Sequence, residues 1–510
     1  MSDFRERLDA LAAAKRAARA AEIERLLAEN PGRLLRASEM PPQEESAAGE
    51  ARRVDGLEDP DERIPPAGAR RRLDDLIGPC ERIALEGGEV MVFTHHVPLS
   101  GLAPRHPRGY LFLPEPARAL PEEGALAEAF ELLAGLSPDA PVPLERIAFL
   151  DTETTGIGGS AGTRAFLIGI GYFRTGASVA DTVPPSPAPS APAVGTPPPL
   201  VPHPSSFVVE QYFMEDYCHE PALLRHLAAK LAGFEALVTF NGRNFDMPLV
   251  EARYIMNRMR PPPPLPHLDL LHPARRLWRG RFGSCSLSAI EQNVLAIART
   301  HDVPGSLIPS IYFECLRTGD SRRLVPVLDH NVQDIVSMGA LLLHMMECAA
   351  DPDHERLADA PHELAALGRL MHKRGRLDDA AAFLERAATC AREPDLQRSA
   401  LAELAGVYRR AGRPQDAADI WEAECARHGA QNPHAFIELA KIMEHRLRDL
   451  PRAVAVIDDA LRQIGLRREM AGYGIGAADD EGALTRVTAD LQSRRARLRK
   501  RLARREGSPQ

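Results

Sequence analysis

No stretch of this 510-residue sequence approaches the roughly 18 consecutive apolar residues that a membrane-spanning helix needs, so no membrane association is expected. It also lacks any Cys-x-x-Cys pair. Its seven cysteines (80, 218, 285, 315, 348, 390 and 425) are scattered and odd in number, which argues against a zinc ribbon or an iron–sulfur cluster and reads as free thiols in a reducing compartment. The first thirty residues interleave Arg, Lys, Asp and Glu with Ala and Leu, an amphipathic helix pattern without the apolar block and cleavage site of a signal peptide. A cytoplasmic protein is therefore expected. An overall excess of positive charge is missing too, the net charge being −8. Residues 494–505 nevertheless hold eight Arg or Lys and no acid, so contact with phosphate has to be local, in this tail or at a site whose acids are masked by metal.

What is present divides into several units, as the length requires. Residues 1–75 read as a helix and a polar, proline-containing linker. Residues 76–144 hold short alternating runs, around residues 89–94 and 109–113, that suggest a small β-containing segment. From 145 to 350 the pattern is α/β. Ile147-Ala148-Phe149-Leu150 reads as a buried strand, 164–173 as a second and 207–213 as a third. A helix (221–231), a strand (236–240), a helix (245–260), a short strand (267–271) and further helices follow. Residues 176–206, with ten prolines among Ala, Ser and Thr, have no means of burying a core and read as a disordered insertion. Residues 360–470 turn all-helical and repeat at offsets of 37 and 36 residues, with Ala380, Ala417 and Ala453 in register. Small residues at a fixed helix position let helices approach closely, and the pattern resembles tetratricopeptide-type repeats, whose period is about 34. Such an array implies a protein partner. Residues 471–510 read as a linker and a basic helix.

Three segments carry the chemistry. In Asp151-Thr152-Glu153 the two acids alternate on a strand and share one face. Two adjacent carboxylates repel unless divalent cations neutralise them. Asn241-Gly242-Arg243-Asn244-Phe245-Asp246 is a turn after a strand, with Asp246 opening the next helix; a helix-capping acid is the alternative reading of Asp246. His330 and Asp334 lie one turn apart on a helix and share a face. Together the four carboxylates carry −4 against the +4 of two divalent ions, the charge match of a two-metal phosphoryl-transfer site with a histidine as proton acceptor.

This ordered set, Asp-x-Glu on a strand, Asn-x-x-x-Phe-Asp, then a helix with His before Asp, resembles the DEDD superfamily of 3′→5′ exonucleases, over about 200 residues. The segments 267–278 and 304–309 are similar to bacterial RNase H-like proteins of the YprB type. The resemblance implies an RNase H-like mixed sheet flanked by helices, followed by the all-α, tetratricopeptide-like repeats. It implies two Mg²⁺ or Mn²⁺ ions held by Asp151, Glu153, Asp246 and Asp334, His330 as general base, and a substrate that is the 3′ end of DNA or RNA. Thr152, Asn241 and Phe245 are expected beside that substrate, packing under the motif being the alternative reading of Phe245. Three residues separate His330 from Asp334, the spacing that accompanies tyrosine in the superfamily rather than histidine, so activation of water by metal alone stays open. A non-catalytic nucleic-acid-binding scaffold is the alternative function.

Other features have competing readings. Gly156-x-Gly158 mimics a dinucleotide fingerprint, but a strand follows it rather than a helix. Asp269 either supports the metal shell or caps the end of a strand. His95, His96 and His106 lack supporting acids or thiols and read as surface or loop residues.

Overall fold

The computed structural model describes residues 71–78, 80–98, 128–135, 142–156, 162–175, 204–297, 299, 302–429, 432–472 and 481–506. The expected N-terminal helix (1–30), most of the linker after it, the run at 109–113, His106 and residues 176–203 lie outside them.

Seven strands form one sheet: β1 (Glu81–Leu85), β2 (Gly88–Pro98), β3 (Ile147–Thr154), β4 (Ala165–Thr175), β5 (Pro204–Phe213), β6 (Ala236–Thr239) and β7 (His267–Asp269), in the order β1-β2-β5-β4-β3-β6-β7. β3 lies inside the sheet, and its first four residues are apolar and buried on both faces, as a strand covered on two sides requires. It pairs antiparallel with β4 and parallel with β6, and β7 runs parallel to β6. Two boundaries differ from the sequence reading. The strands expected as a separate segment before residue 145 extend this same sheet, because β2 pairs along its length with β5. The insertion ends earlier than expected: Ser206 pairs with both Arg174 and Pro98, and Pro204 with Thr175, so residues 204–206 already belong to β5.

Helices of eight or more residues are numbered here. α1 (Glu220–Leu231), α2 (Asp246–Met256) and α4 (Ile308–Thr318) cover one face of the sheet, where Ala148, Leu150, Phe166, Ile168 and Tyr212 meet Leu223, Leu227, Tyr254 and Tyr312. α3 (Leu271–Trp278) and the long α5 (Val325–Ala350) cover the other, against Phe149, Phe173 and Phe207. Those three rings pack edge-on at 4.9–5.9 Å between centroids. α5 crosses β4 over Gly169 and Gly171. A Cβ at Gly169 would collide with Ile335 and Asn331, and one at Gly171 with Ile335 and Phe207. The missing side chains are what let this helix reach the acidic end of β3.

Beyond the sheet the chain is all helical: α6 (Pro361–Arg374), α7 (Leu377–Cys390), α8 (Pro394–Arg410), α9 (Pro414–His428), α10 (Pro433–Ile442), α11 (Leu450–Gly472) and α12 (Glu481–Glu506), each packed on the next. Ala380, Ala417 and Ala453, which the repeat places in register, are fully buried at equivalent points of α7, α9 and α11. α12 carries the basic run. Leu484, Leu491 and Leu498 bury one stripe of it, while Arg494, Arg497 and Arg501 converge on the buried Glu444 and Arg495 and Arg499 pair with Asp458. Five of the eight basic residues are thus engaged with two acids of their own chain. No helix among the described residues is long and apolar enough to cross a membrane, and all seven cysteines are free thiols.

Candidate active site

The site forms at the C-terminal end of β3, where the apolar half of the strand gives way to Asp151 and Glu153. Their odd-numbered positions continue the face of Ile147 and Phe149, which is the face that α5 covers. Asp151 stands opposite Gly169 on β4, and Gly169 stands opposite Gln211 on β5. The side chain of Asn331 from α5 fills the space above Gly169. Its amide nitrogen donates to Asp151 Oδ2 at 2.8 Å, and its oxygen accepts from Gln211 Nε2 at 2.9 Å. Gln211 in turn donates to the Leu328 carbonyl and meets His95 Nε2 at 3.1 Å. Asn331 and Gln211 are both fully buried, so this satisfied chain of amides sets where the Asp151 carboxylate lies. His95, half-buried on β2, thereby belongs to the edge of the network, while His96 is exposed.

Asp246 begins α2 and is buried beside β3, accepting from the Thr152 hydroxyl at 2.5 Å. The turn that delivers it is held from below by Asp269. That carboxylate accepts from the backbone nitrogens of Asn241 (2.7 Å), Arg243 (3.2 Å) and Leu271 (3.1 Å). Asn241 adopts a left-handed conformation (φ 68°), which Asn tolerates better than most residues. Of the two readings of Asp269, the geometry favours the structural one. Phe245, next to Asp246, is 59% exposed.

α5 brings His330 and Asp334 to the same place. His330 Nε2 lies 3.9 Å from Glu153 Oε1 and 3.7 Å from Asp334 Oδ2. Its Nδ1 faces Asp302 Oδ1 at 2.5 Å. Burial alone would lower the imidazole pKa, but the hydrogen bond to Asp302 and the charges of Asp334 and Glu153 raise it to about 9. Asp334 is bonded by Arg299, which also makes two hydrogen bonds to the buried Glu291 at 2.6 and 2.7 Å. Asp302, Arg299, Glu291, Asn331 and Gln211 were not foreseen from the sequence. Residues 299 and 302 follow a π-helical turn (Glu291–Leu295) and lie in no periodic element, while Gln211 reads as one more polar residue of a strand. Asn331 alone offered a signal, lying next to His330 on a helix already singled out.

The electrostatics follow from burial. The Asp151 carboxyl is pushed well above the usual range, first by desolvation and then by Asp334, Asp246 and Glu153. Glu153 is raised to about 8 by burial, against the His330 charge and with the other acids. Asp246 is raised to about 6 by burial, against its hydrogen bond from Thr152. Asp151 therefore feels the charge of the three other expected acids, and Glu153 that of Asp334 and Asp246. As the side chains stand, no three His, Cys, Asp or Glu groups among the described residues close on one point as ligands of a single ion. The donor set itself, carboxylate oxygens in a desolvated and mutually repulsive cluster, suits hard divalent cations.

YprB of Bacillus subtilis (strain 168), described as uncharacterized, is 31% identical over 316 residues, covering 61% of this chain and 68% of its own length. The chain belongs to the YprB family. A family model of the RNase_H superfamily matches residues 202–346, so this YprB-family chain carries an RNase H-like domain. A solved structure of the family B DNA polymerase from the hyperthermophilic archaeon Pyrobaculum calidifontis aligns over 46% of this chain at 12% identity, with a TM-score of 0.27. The chain spans 30% of that polymerase.

Proposed function

We propose that this protein is a metal-dependent 3′→5′ exonuclease that hydrolyses the phosphodiester bonds of DNA or RNA. The observation that carries the reading is the convergence, at one end of β3, of four carboxylates from three separate segments, close enough that the other three each raise the cost of ionising Asp151. A fold has little reason to gather three further carboxylates around the desolvated Asp151 unless cations compensate them.

In this reading Asp151, Glu153, Asp246 and Asp334 hold Mg²⁺ or Mn²⁺. Two such ions supply the positive charge that lowers the cost of forming the attacking and departing oxygens. Thr152 serves by holding Asp246 rather than by touching substrate, since its hydroxyl is committed to that carboxylate. The exposed ring of Phe245 stacks on a terminal base, with Asn241 beside it in the same turn. His330 accepts the proton of the attacking water at Nε2, the nitrogen that faces Glu153 and Asp334. Neutralising those two carboxylates removes part of what holds the imidazole protonated, leaving it able to take up a proton near neutral pH. The helical repeats provide a surface for a protein partner.

The test is digestion of end-labelled single- and double-stranded DNA and RNA with Mg²⁺ or Mn²⁺, comparing wild type with Asp151→Asn. A ladder shortened from the 3′ end of 5′-labelled substrate, abolished by the substitution, is expected. Internal cleavage would overturn the exonuclease assignment. Absence of hydrolysis of every substrate, with nucleic acid still bound, would replace the enzyme by a binding scaffold.

A further inference from the structure

His330 is not left to orient itself. Asp302 Oδ1 lies 2.5 Å from its Nδ1, and the other oxygen of the same carboxylate lies 3.3 Å from Arg299 Nη1. Arg299 is anchored by its two bonds to Glu291, whose side chain is 1% exposed, and Glu291 also accepts from Ser337 on α5. Asp302 is therefore tied through Arg299 and Glu291 to the helix that carries His330, so carboxylate and imidazole are placed by one framework. Arg299 Nη1 also comes within 3.3 Å of His330 Nδ1. The shorter contact goes to a carboxylate, which can only accept, so the neutral ring in this geometry keeps its proton on Nδ1, and guanidinium and imidazole are two donors around one acceptor.

We propose that Asp302 is a positioning residue for His330: it accepts the Nδ1–H, fixes the tautomer and ring orientation, and thereby presents Nε2 to the space between Glu153 and Asp334. A carboxylate behind an imidazole fixes which nitrogen is free, and free histidine prefers the opposite tautomer, with the proton on Nε2. Without Asp302 the nitrogen facing the acids would be predominantly a donor and unable to take a proton from water. The catalytic part of this inference rests on the hydrolase reading; the tautomer does not.

The experiment uses the full-length chain with ¹⁵N-labelled histidine, the His330 signals being assigned by their loss in His330→Gln. Spectra are followed to high enough pH to reach the neutral ring. Wild type is expected to show Nδ1 protonated and Nε2 unprotonated, and Asp302→Ala to shift the ring toward the Nε2–H form. Asp302→Asn, whose amide oxygen still accepts, keeps the wild-type tautomer. In digestion assays Asp302→Ala is expected to lower kcat about 10–100-fold with KM nearly unchanged, and Asp302→Asn to recover most of that loss. A wild-type ring protonated at Nε2, or identical ring shifts in wild type and Asp302→Ala, overturns the inference whatever the assay gives. Equal kcat in wild type and Asp302→Ala, while His330→Ala is slow, overturns the catalytic role and leaves the hydrolase reading intact. A wild type that hydrolyses nothing overturns the hydrolase reading and the catalytic role with it, and the ring shifts still decide the tautomer.

Discussion

Asn331 reaches Asp151 only because the residue between them has no side chain. The amide donates to the carboxylate at 2.8 Å through the space above Gly169, the cross-strand neighbour of Asp151. Gly169→Ala is therefore expected to lower stability by about 1–3 kcal/mol, the usual range for overpacking, and to lower activity as α5 moves away from β3. Gly283→Ala, where an added Cβ meets nothing within 4 Å, serves as the control and is expected to stay within about 0.5 kcal/mol. Urea unfolding followed by circular dichroism, together with the digestion assay, checks both. Equal stability and rate in Gly169→Ala and wild type would mean that the helix has room to spare.

Arg299 and Glu291 form a buried pair of 12% and 1% side-chain exposure. Removing only the cation leaves a desolvated carboxylate, so Arg299→Met is expected to cost roughly 3–5 kcal/mol. Arg299→Met combined with Glu291→Gln should be considerably less destabilised than the single variant. A double-mutant cycle by denaturant unfolding measures the coupling, and additive effects would show that the pair is not interacting as described.

His344 on α5 is pushed down from 6.5 to about 4, chiefly by burial and further by Arg356 and His354, and His267 is likewise lowered to about 4 by burial and Arg243. A folded-state pKa below the unfolded one means that the unfolded chain binds more protons in between. Stability is then full above about 6.5 and declines as pH falls toward 4. His344→Leu removes one of the titrating groups, so the urea midpoint should fall less steeply between pH 6.5 and 4 than in wild type. A slope that stays the same would place the His344 titration at its ordinary value.

Thr175 and Pro204 are partners across β4 and β5. Replacing residues 176–203 by a two-residue Asn-Gly turn should shift Tm by no more than the roughly 2–4 °C that corresponds to 1 kcal/mol in a domain of 150–250 residues. Digestion rates should also be retained. A larger loss of either would show that the proline-rich segment packs on the protein or touches substrate.

Much of this architecture is local enough to be legible in sequence. Period-two and period-3.6 patterns placed the strands from Ile147 to Asp269 and the two helices between them within a few residues, because each buries a face that its own spacing defines. The three in-register alanines could be recognised because α7, α9 and α11 meet the same steric demand at the same position, and all three are fully buried. Asp151 and Glu153 share a face by strand geometry, and His330 and Asp334 by helix geometry, before any fold is known.

The tertiary structure decided what lies across those elements. That β1 and β2 belong to the main sheet depends on pairing with β5 more than a hundred residues away, which no local pattern encodes. The Asp302–His330 contact, the Glu291–Arg299–Asp334 chain and the Gln211–Asn331–Asp151 chain each join residues from different segments, at least one of them outside any motif. The basic run at 494–505 offers itself in sequence as a place for phosphate contact; the fold turns five of its residues toward Glu444 and Asp458. The physical reason is common to all of these. Period and composition report which face of an element is buried, whereas a hydrogen bond between segments depends on where the packed core places two side chains relative to each other, and that follows only when strand order and helix crossing are set.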